Sequence, residues 1–129
     1  MSDRVKIDFH AGVADVRLNR ADKMNALDPA MMKGLIEAGQ QLAAEPKARV
    51  AVLSGEGRAF CAGLDMASMA AIGQPPEKSS DGNADKKVDG GLLTTSVDSP
   101  ANFVQRVCWI WREIPIPVIA AVHGVAYGG

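Results

Sequence analysis

The sequence predicts an α/β fold in which buried parallel strands are flanked by helices. Two short apolar runs, 50–53 and 118–122, each follow a segment with helical apolar spacing. Such continuous runs are typical of parallel strands that are covered on both faces. Each run leads into a turn rich in glycine and other small residues. Because ligands of α/β sheets bind at the carboxyl ends of strands, we expect both turns to lie at a binding site.

The chain begins with the pattern of a half-buried β-hairpin. Apolar residues alternate with polar ones before Ala11-Gly12, at Val5, Ile7 and Phe9. After these two residues the alternation continues and places three apolar residues on one face: Ala14, Val16 and Leu18. Period-two alternation on both sides of a glycine-bearing turn predicts two antiparallel strands.

The first helix is predicted to begin at Asp28-Pro29 and to end before Pro46. Aspartate is a favoured N-cap and proline is favoured at the first helical position. Apolar or small residues then recur at helical spacing: Met32, Leu35, Ile36, Gly39 and Leu42. We expect this narrow face to pack on the sheet.

A weaker helical pattern follows the first glycine turn, through Met66, Met69 and Ile72. The next segment, 73–98, is polar and has little hydrophobic periodicity. We predict that it is a mobile insertion within one domain, of which residues 1–129 form the N-terminal part.

The second helix is predicted from Ser99-Pro100, which repeats the cap-plus-proline signal, to Pro115. Its apolar stripe comprises Phe103, Val104, Val107, Ile110, Trp111 and Ile114. Trp109 and Trp111 should face different sides of the helix, with Trp111 in the core. The strand 118–122 that follows is predicted to be fully buried.

The composition excludes several classes of function. A formal net charge of -1 gives nucleic acid or an anionic membrane no excess positive charge to act on. No apolar run approaches the length of a membrane span. The two cysteines, Cys61 and Cys108, stand outside any metal or redox motif, so we predict free thiols and no metal site. These features favour a cytoplasmic protein that binds a small molecule.

The two glycine turns, 57–65 and 124–129, allow two interpretations. Small residues let the backbone approach a ligand, and backbone N–H groups that are free of strand pairing can stabilise a developing negative oxygen. The turns could therefore form an oxyanion hole with two donors. They could also be ordinary tight turns, which the glycine content alone favours because glycine is common in loops.

Three motifs in this order resemble those of the crotonase (enoyl-CoA hydratase/isomerase) superfamily. Residues 59–65 match A-F-C-A-G-x-D, and residues 117–129 match P-V-I-A-A-V-x-G-x-A-x-G-G. Residues 18–27 are similar to L-N-R-P-x-x-x-N-A-L, with Ala21 where proline is common. Outside 73–98 the resemblance covers essentially the whole chain. It implies the N-terminal half of a crotonase-like ββα spiral.

The resemblance also implies a site for an acyl-CoA substrate. The backbone N–H groups of Leu64 and Gly129 would hold the thioester oxygen. Binding of the substrate is implied for Lys23, Met24, Ala26, Ala62, Leu64, Asp65, Met66 and Gly128. No cofactor is expected, since coenzyme A is part of the substrate, and family members are usually trimers or dimers of trimers.

Several side chains near this site have two possible roles. Lys23 and Arg20 could contact phosphates or be solvated. Met66 and Met69 could line the acyl pocket, but methionines at helical spacing more often belong to the core, which we favour. His123 is interpreted as structural.

The reaction we favour is the hydration of an enoyl-CoA, with enoyl- or dienoyl-CoA isomerisation as the alternative. Hydration needs an acid and a base, commonly two glutamates in this family, and the resemblance places both after Gly129. We therefore expect the 129-residue chain alone to be inactive. A different alternative is a non-catalytic protein that binds acyl-CoA.

Overall fold

The computed structural model describes residues 3–72, Thr95 and 98–129. Its strands are β1 (Val5–His10), β2 (Val13–Leu18), β3 (Val50–Gly55) and β4 (Val118–Ala120). Its α-helices are α1 (Pro29–Ala44), α2 (Met66–Ile72) and α3 (Phe103–Glu113), and a short 3₁₀ helix spans Ala21–Lys23. Most of the predicted insertion 73–98 lies outside the described residues, so its mobility stays a prediction.

The four strands form one mixed sheet in the order β1-β2-β3-β4. β1 and β2 are antiparallel, whereas β3 runs parallel to both β2 and β4. Leu53 of β3 lies opposite Ala120 of β4, so the carboxyl ends of these two strands meet at one edge. The predicted α/β class is confirmed, and both glycine turns begin at this edge.

The β1–β2 hairpin forms as predicted. Ala11 and Gly12 connect the strands with φ values of 49° and 87°. The predicted face of β2 is buried at Ala14, Val16 and Leu18. Phe9, on the edge strand β1, is exposed.

Helix α1 begins at the predicted residue because Asp28 Oδ1 accepts a hydrogen bond from the Met31 N–H at 2.7 Å. The buried face is wider than predicted, since it includes Met31, Gly34 and Ala38 in addition to the predicted residues. The reason is that α1 packs against α3 as well as against β1 and β2. At Gly39 an added Cβ would lie only 2.3 Å from Ile110 Cγ1 of α3.

Helix α3 begins later than predicted. Its N-cap is Asn102, whose side chain and that of Gln105 form a reciprocal capping box. Ser99 instead accepts a hydrogen bond from the Ala101 N–H in the preceding turn, which removes it as the cap. The two tryptophans face different sides as predicted, because half-buried Trp111 packs on the core while exposed Trp109 donates to Glu113.

The last strand is shorter and more exposed than the predicted buried run 118–122. Val118 packs against the core, but Ile119 is 55% exposed and Val122 is 57% exposed. β4 is an edge strand, and no described element covers these two side chains. β3 is also less covered than predicted, since only Ala51 of its apolar run is fully buried.

Within the described ranges, no helix is both long and apolar enough to cross a membrane. The cytoplasmic location stays a prediction.

Candidate functional site

The two glycine turns continue the pairing of β3 and β4 beyond the sheet. Cys61 and Ala126 form a parallel bridge. The Cys61 N–H donates to the Val125 carbonyl at 3.2 Å, and the Tyr127 N–H donates to the Cys61 carbonyl at 2.9 Å. The backbones of the two turns are therefore held side by side.

The glycines make this close approach possible. Gly63 has a φ of +82°, and a Cβ there would lie 2.1 Å from the Tyr127 carbonyl oxygen. Gly124 has a φ of +59°, and a Cβ there would lie 2.2 Å from the Arg58 carbonyl oxygen. Any side chain at either position would collide with the opposite turn, and the positive φ would add strain.

The first turn also pairs with the loop that precedes α1. The Leu27 N–H donates to the Gly63 carbonyl at 2.8 Å, and the Asp65 N–H donates to the Leu27 carbonyl at 3.0 Å. In this parallel bridge the backbone groups of Leu64 point away from Leu27. The Leu64 N–H makes no hydrogen bond to any residue that the structure describes.

Gly129 lies beside this segment. Its φ is +84°, and a Cβ there would lie 2.3 Å from Leu27 Cδ1 and 3.8 Å from the Cα of Gly63. Its N–H is likewise without a hydrogen-bond partner in residues 3–72, 95 and 98–129. The structure thus places the two predicted oxyanion donors on turns that pair with each other, and neither N–H group is hydrogen-bonded within the described part of the chain.

Asn25 connects the loop that precedes α1 to the first glycine turn, a role that was not predicted from the sequence. Its buried side chain accepts a hydrogen bond from the Arg20 N–H and donates to the carbonyls of Glu56 and Ala59, all within 2.9–3.0 Å. Its φ of 56° is in the left-handed region, which asparagine adopts more readily than most residues. The only signal in the sequence was its place in the L-N-R-P-x-x-x-N-A-L motif.

A groove of about 690 Å³ brings together six of the predicted substrate-binding residues: Lys23, Ala26, Ala62, Leu64, Asp65 and Met66. Met24 is not among the residues that line this groove, and its carbonyl accepts a hydrogen bond from the Ala62 N–H at 2.8 Å. The assignment of Met66 to the core is wrong. As the first residue of α2, Met66 is 78% exposed and lines the groove, whereas Met69 is half-buried.

The remaining predicted residue, Gly128, lines a second cavity of about 650 Å³ together with Gly129. Its walls are mainly apolar and include Leu27, Phe60 and Trp111. Cys61 also faces this cavity, where its thiol donates to the Asn25 carbonyl. Burial raises the pKa of Cys61 above its ordinary value, which keeps the thiol protonated.

The two basic residues at the groove differ in their contacts. Lys23 forms no ion pair with any described residue, so its ammonium group is available to a ligand. Arg20 Nη1 instead donates to Asp65 Oδ2 at 2.6 Å and to the Ala26 carbonyl at 3.1 Å. We expected Arg20 to be solvated or to contact phosphate, and the sequence did not predict its ion pair with Asp65.

The Asp65 carboxylate is occupied on both oxygens. Oδ1 accepts a hydrogen bond from the Ser68 N–H in the first turn of α2, and Oδ2 accepts the one from Arg20. The Ser68 N–H, with a further contribution from Arg20, holds the pKa of Asp65 below its ordinary value. Asp65 is therefore an ionised structural group at the edge of the groove.

His123 connects the two turns through its side chain. Its Nε2 lies 2.9 Å from the Gly57 carbonyl oxygen, and its own carbonyl accepts a hydrogen bond from the Phe60 N–H. Both contacts agree with the structural interpretation of this residue.

The enoyl-CoA hydratase/isomerase family model matches residues 8–129, a range that includes both turns and most of the sheet. The chain belongs to this family. The matched range includes all the residues of the candidate site described above. Membership of the crotonase superfamily, which the motifs indicated, is confirmed.

Relatives with different reactions are similar to this chain. A mitochondrial Δ(3,5)-Δ(2,4)-dienoyl-CoA isomerase of Rattus norvegicus is 32% identical over 91% of this chain and 33% of its own length. A hydroxycinnamoyl-CoA hydratase-lyase of Pseudomonas fluorescens is 30% identical over 97% of this chain and 40% of its own length. The crystal structure of an enoyl-CoA hydratase of Mycobacterium marinum is also similar to this chain, with 26% sequence identity and a TM-score of 0.67. The match covers 92% of this chain and 47% of that one. The chain therefore spans less than half the length of each.

Proposed function

We propose that the protein is an acyl-CoA enzyme that holds a thioester oxygen between the N–H groups of Leu64 and Gly129. The observation that carries this proposal is that the two turns pair with each other while neither N–H group donates a hydrogen bond to a described residue. Donors fixed in this way stabilise negative charge without reorganising during the reaction. The predicted reaction is addition of water across the α,β double bond of an enoyl-CoA.

Polarisation of the carbonyl is the chemical contribution of these residues. Charge drawn onto the thioester oxygen makes Cβ more electrophilic and Cα–H more acidic. Loss of one such donor typically costs about 2.7–4 kcal/mol of barrier. The groove beside Lys23 suits the phosphates of CoA, and the apolar cavity beside Gly129 suits an acyl chain.

Proton transfer requires groups other than the carboxylates at this site. Asp65 is bound to Arg20 and to the Ser68 N–H, and its lowered pKa makes it a poor general acid or base near neutral pH. We propose that two glutamates located after Gly129 move the protons, as the resemblance implies. The predicted trimer or dimer of trimers, the predicted absence of a cofactor and the predicted cytoplasmic location also belong to this proposal.

Isomerisation of an enoyl- or dienoyl-CoA is the second candidate. The relative named as a dienoyl-CoA isomerase is 32% identical to this chain, which is similar to the 30% of the hydratase-lyase. Both reactions use a polarised thioester and differ in the position of the acid and base.

A substrate comparison with the full-length protein tests these proposals. Addition of water to a 2-enoyl-CoA removes the ultraviolet absorbance of the conjugated thioester, and chromatography identifies the 3-hydroxyacyl product. We expect turnover of this substrate to exceed turnover of a 3-enoyl- or 3,5-dienoyl-CoA. The reverse preference would establish the isomerase. Binding of CoA in a titration without turnover of any of these thioesters would support a non-catalytic binder and overturn the proposed enzyme.

A further inference from the structure

We infer that Arg20 is a positioning residue that fixes the direction of the Leu64 N–H. The inference rests on the proposed function, because it concerns the oxyanion donor. Among the described residues, Arg20 forms no hydrogen bond or ion pair with Leu64 or with the turn from β4, so it would act through the residues on either side of the donor.

The contacts of Arg20 span the bridge that orients Leu64. One side of this bridge is the segment Ala26-Leu27, and the other is Gly63-Leu64-Asp65. Arg20 Nη1 binds the Ala26 carbonyl on the first side and the Asp65 carboxylate on the second. A single guanidinium group therefore clamps the two segments whose pairing turns the Leu64 N–H away from Leu27.

The clamp extends to α2 through Asp65. Its other carboxylate oxygen accepts a hydrogen bond from the Ser68 N–H, so the residue after the donor is fixed by both Arg20 and the helix. The side chains of Arg20 and Asp65 are only 11% and 10% exposed. A paired guanidinium and carboxylate held away from water form a shorter and stronger contact than a solvated pair.

The charge around Arg20 argues against a direct role in binding phosphate. Arg20 is 3.5 Å from Asp28 Oδ2 in addition to its contact with Asp65, and Asp28 is also paired with Arg4 at 2.8 Å. These two arginines and two aspartates sum to no net charge. Lys23 lines the same groove, forms no ion pair with a described residue and is better suited to an anion.

Kinetics of Arg20→Met with two substrates test the inference in the full-length protein. The substrates are an enoyl-CoA and the same enoyl group on pantetheine, which has no phosphates. We expect kcat to fall about 10- to 100-fold for both, since a donor displaced by about 1 Å has an effect of this size. The ratio of their KM values should not change. A loss confined to a higher KM for the CoA substrate would show that Arg20 contacts phosphate and would overturn the inference.

Two further variants separate positioning from general destabilisation. Arg20→Lys should recover part of kcat, because an ammonium group can reach Asp65 but lacks the planar fork of a guanidinium. In a double-mutant cycle, Arg20→Met with Asp65→Asn should lower kcat little more than either change alone. Additive losses would contradict a shared action on Leu64. If Arg20→Met does not fold, the same comparison of the two substrates can be made with Arg20→Lys and Asp65→Asn.

Arg17→Met is the matched control. Arg17 also contacts two carboxylates, those of Asp15 and Glu56, but its side chain is 43% exposed, and those of Asp15 and Glu56 are 34% and 35% exposed. Such surface pairs contribute little, so kcat should be unchanged. The wild-type protein distinguishes the two proposals. Wild-type turnover with kcat unaffected by Arg20→Met would overturn only the positioning role, whereas absence of wild-type turnover would overturn the proposed function and this inference with it.

Discussion

The proposed role of Leu64 uses only its backbone N–H, so we expect the identity of its side chain to matter little. Leu64→Pro removes the N–H, and no hydrogen bond to a described residue is lost with it. We expect kcat to fall about 100- to 1000-fold in this variant. Leu64→Ala keeps the N–H and should lose far less. Steady-state kinetics of the two full-length variants, with their melting temperatures measured alongside, test the prediction, which equal losses would contradict.

Asp65 should make the stability of the protein depend on pH in the acidic range. Its folded pKa is lowered by the Ser68 N–H and by Arg20, whereas an unfolded aspartate titrates near about 3.9. The stabilisation is therefore complete above the unfolded pKa and is lost as the pH falls through the folded pKa. Urea unfolding between neutral pH and pH 3 should show a decline that is shallower in Asp65→Asn. Parallel curves would contradict this role.

The candidate donors could be proposed from the sequence, but the side-chain contacts that support them could not. Leu64 and Gly129 occupy recognisable positions in two motifs. The contact of Arg20 with Asp65 joins residues 45 positions apart, and that of Asn25 with Ala59 joins residues 34 apart. Neither leaves a local pattern, because these side chains meet only when the loop folds onto the turn.

Helices α1 and α3 pack closely where Gly39 faces Ile110. Although alanine is normally better than glycine within a helix, a Cβ at this position would collide with Ile110. Overpacking of this kind costs about 1–3 kcal/mol, so Gly39→Ala should lower the free energy of unfolding. Denaturant unfolding measures the effect.

Ile110→Ala provides the matching control for this contact. It removes the atoms that the new Cβ would meet, so the cost of Gly39→Ala should be smaller in that background. Equal costs in both backgrounds would show that the close approach is not responsible.

The start of α1 was predicted correctly from local chemistry, whereas the start of α3 was not. Asp28-Pro29 was a single cap candidate, and the helix begins there. Ser99 and Asn102 both precede the apolar stripe of α3, and the capping box between Asn102 and Gln105 decides between them. That spacing was present in the sequence. The exposure of β4 could not be predicted, because an apolar run in the sequence does not indicate which residues cover the strand.

The site as a whole is formed by segments distant in the sequence, the turns after β3 and β4 and the loop before α1. Parallel pairing of β3 with β4 brings the two turns together, and Leu27 lies against both. The thioester carbonyl of a bound substrate would therefore report on all three segments at once. This dependence makes the carbonyl the best single probe of the proposed oxyanion hole.

Infrared difference spectroscopy tests the proposed oxyanion hole most directly. The sample is an enoyl-CoA labelled with ¹³C at the thioester carbonyl and bound to the full-length protein. Two aligned N–H donors should weaken the carbonyl bond, so we expect a lower stretching frequency in the complex than in water. Leu64→Ala should keep this shift, and Leu64→Pro should lose a large part of it. An unshifted carbonyl in the wild-type complex, or the same shift in Leu64→Pro, would contradict the oxyanion hole formed by Leu64 and Gly129.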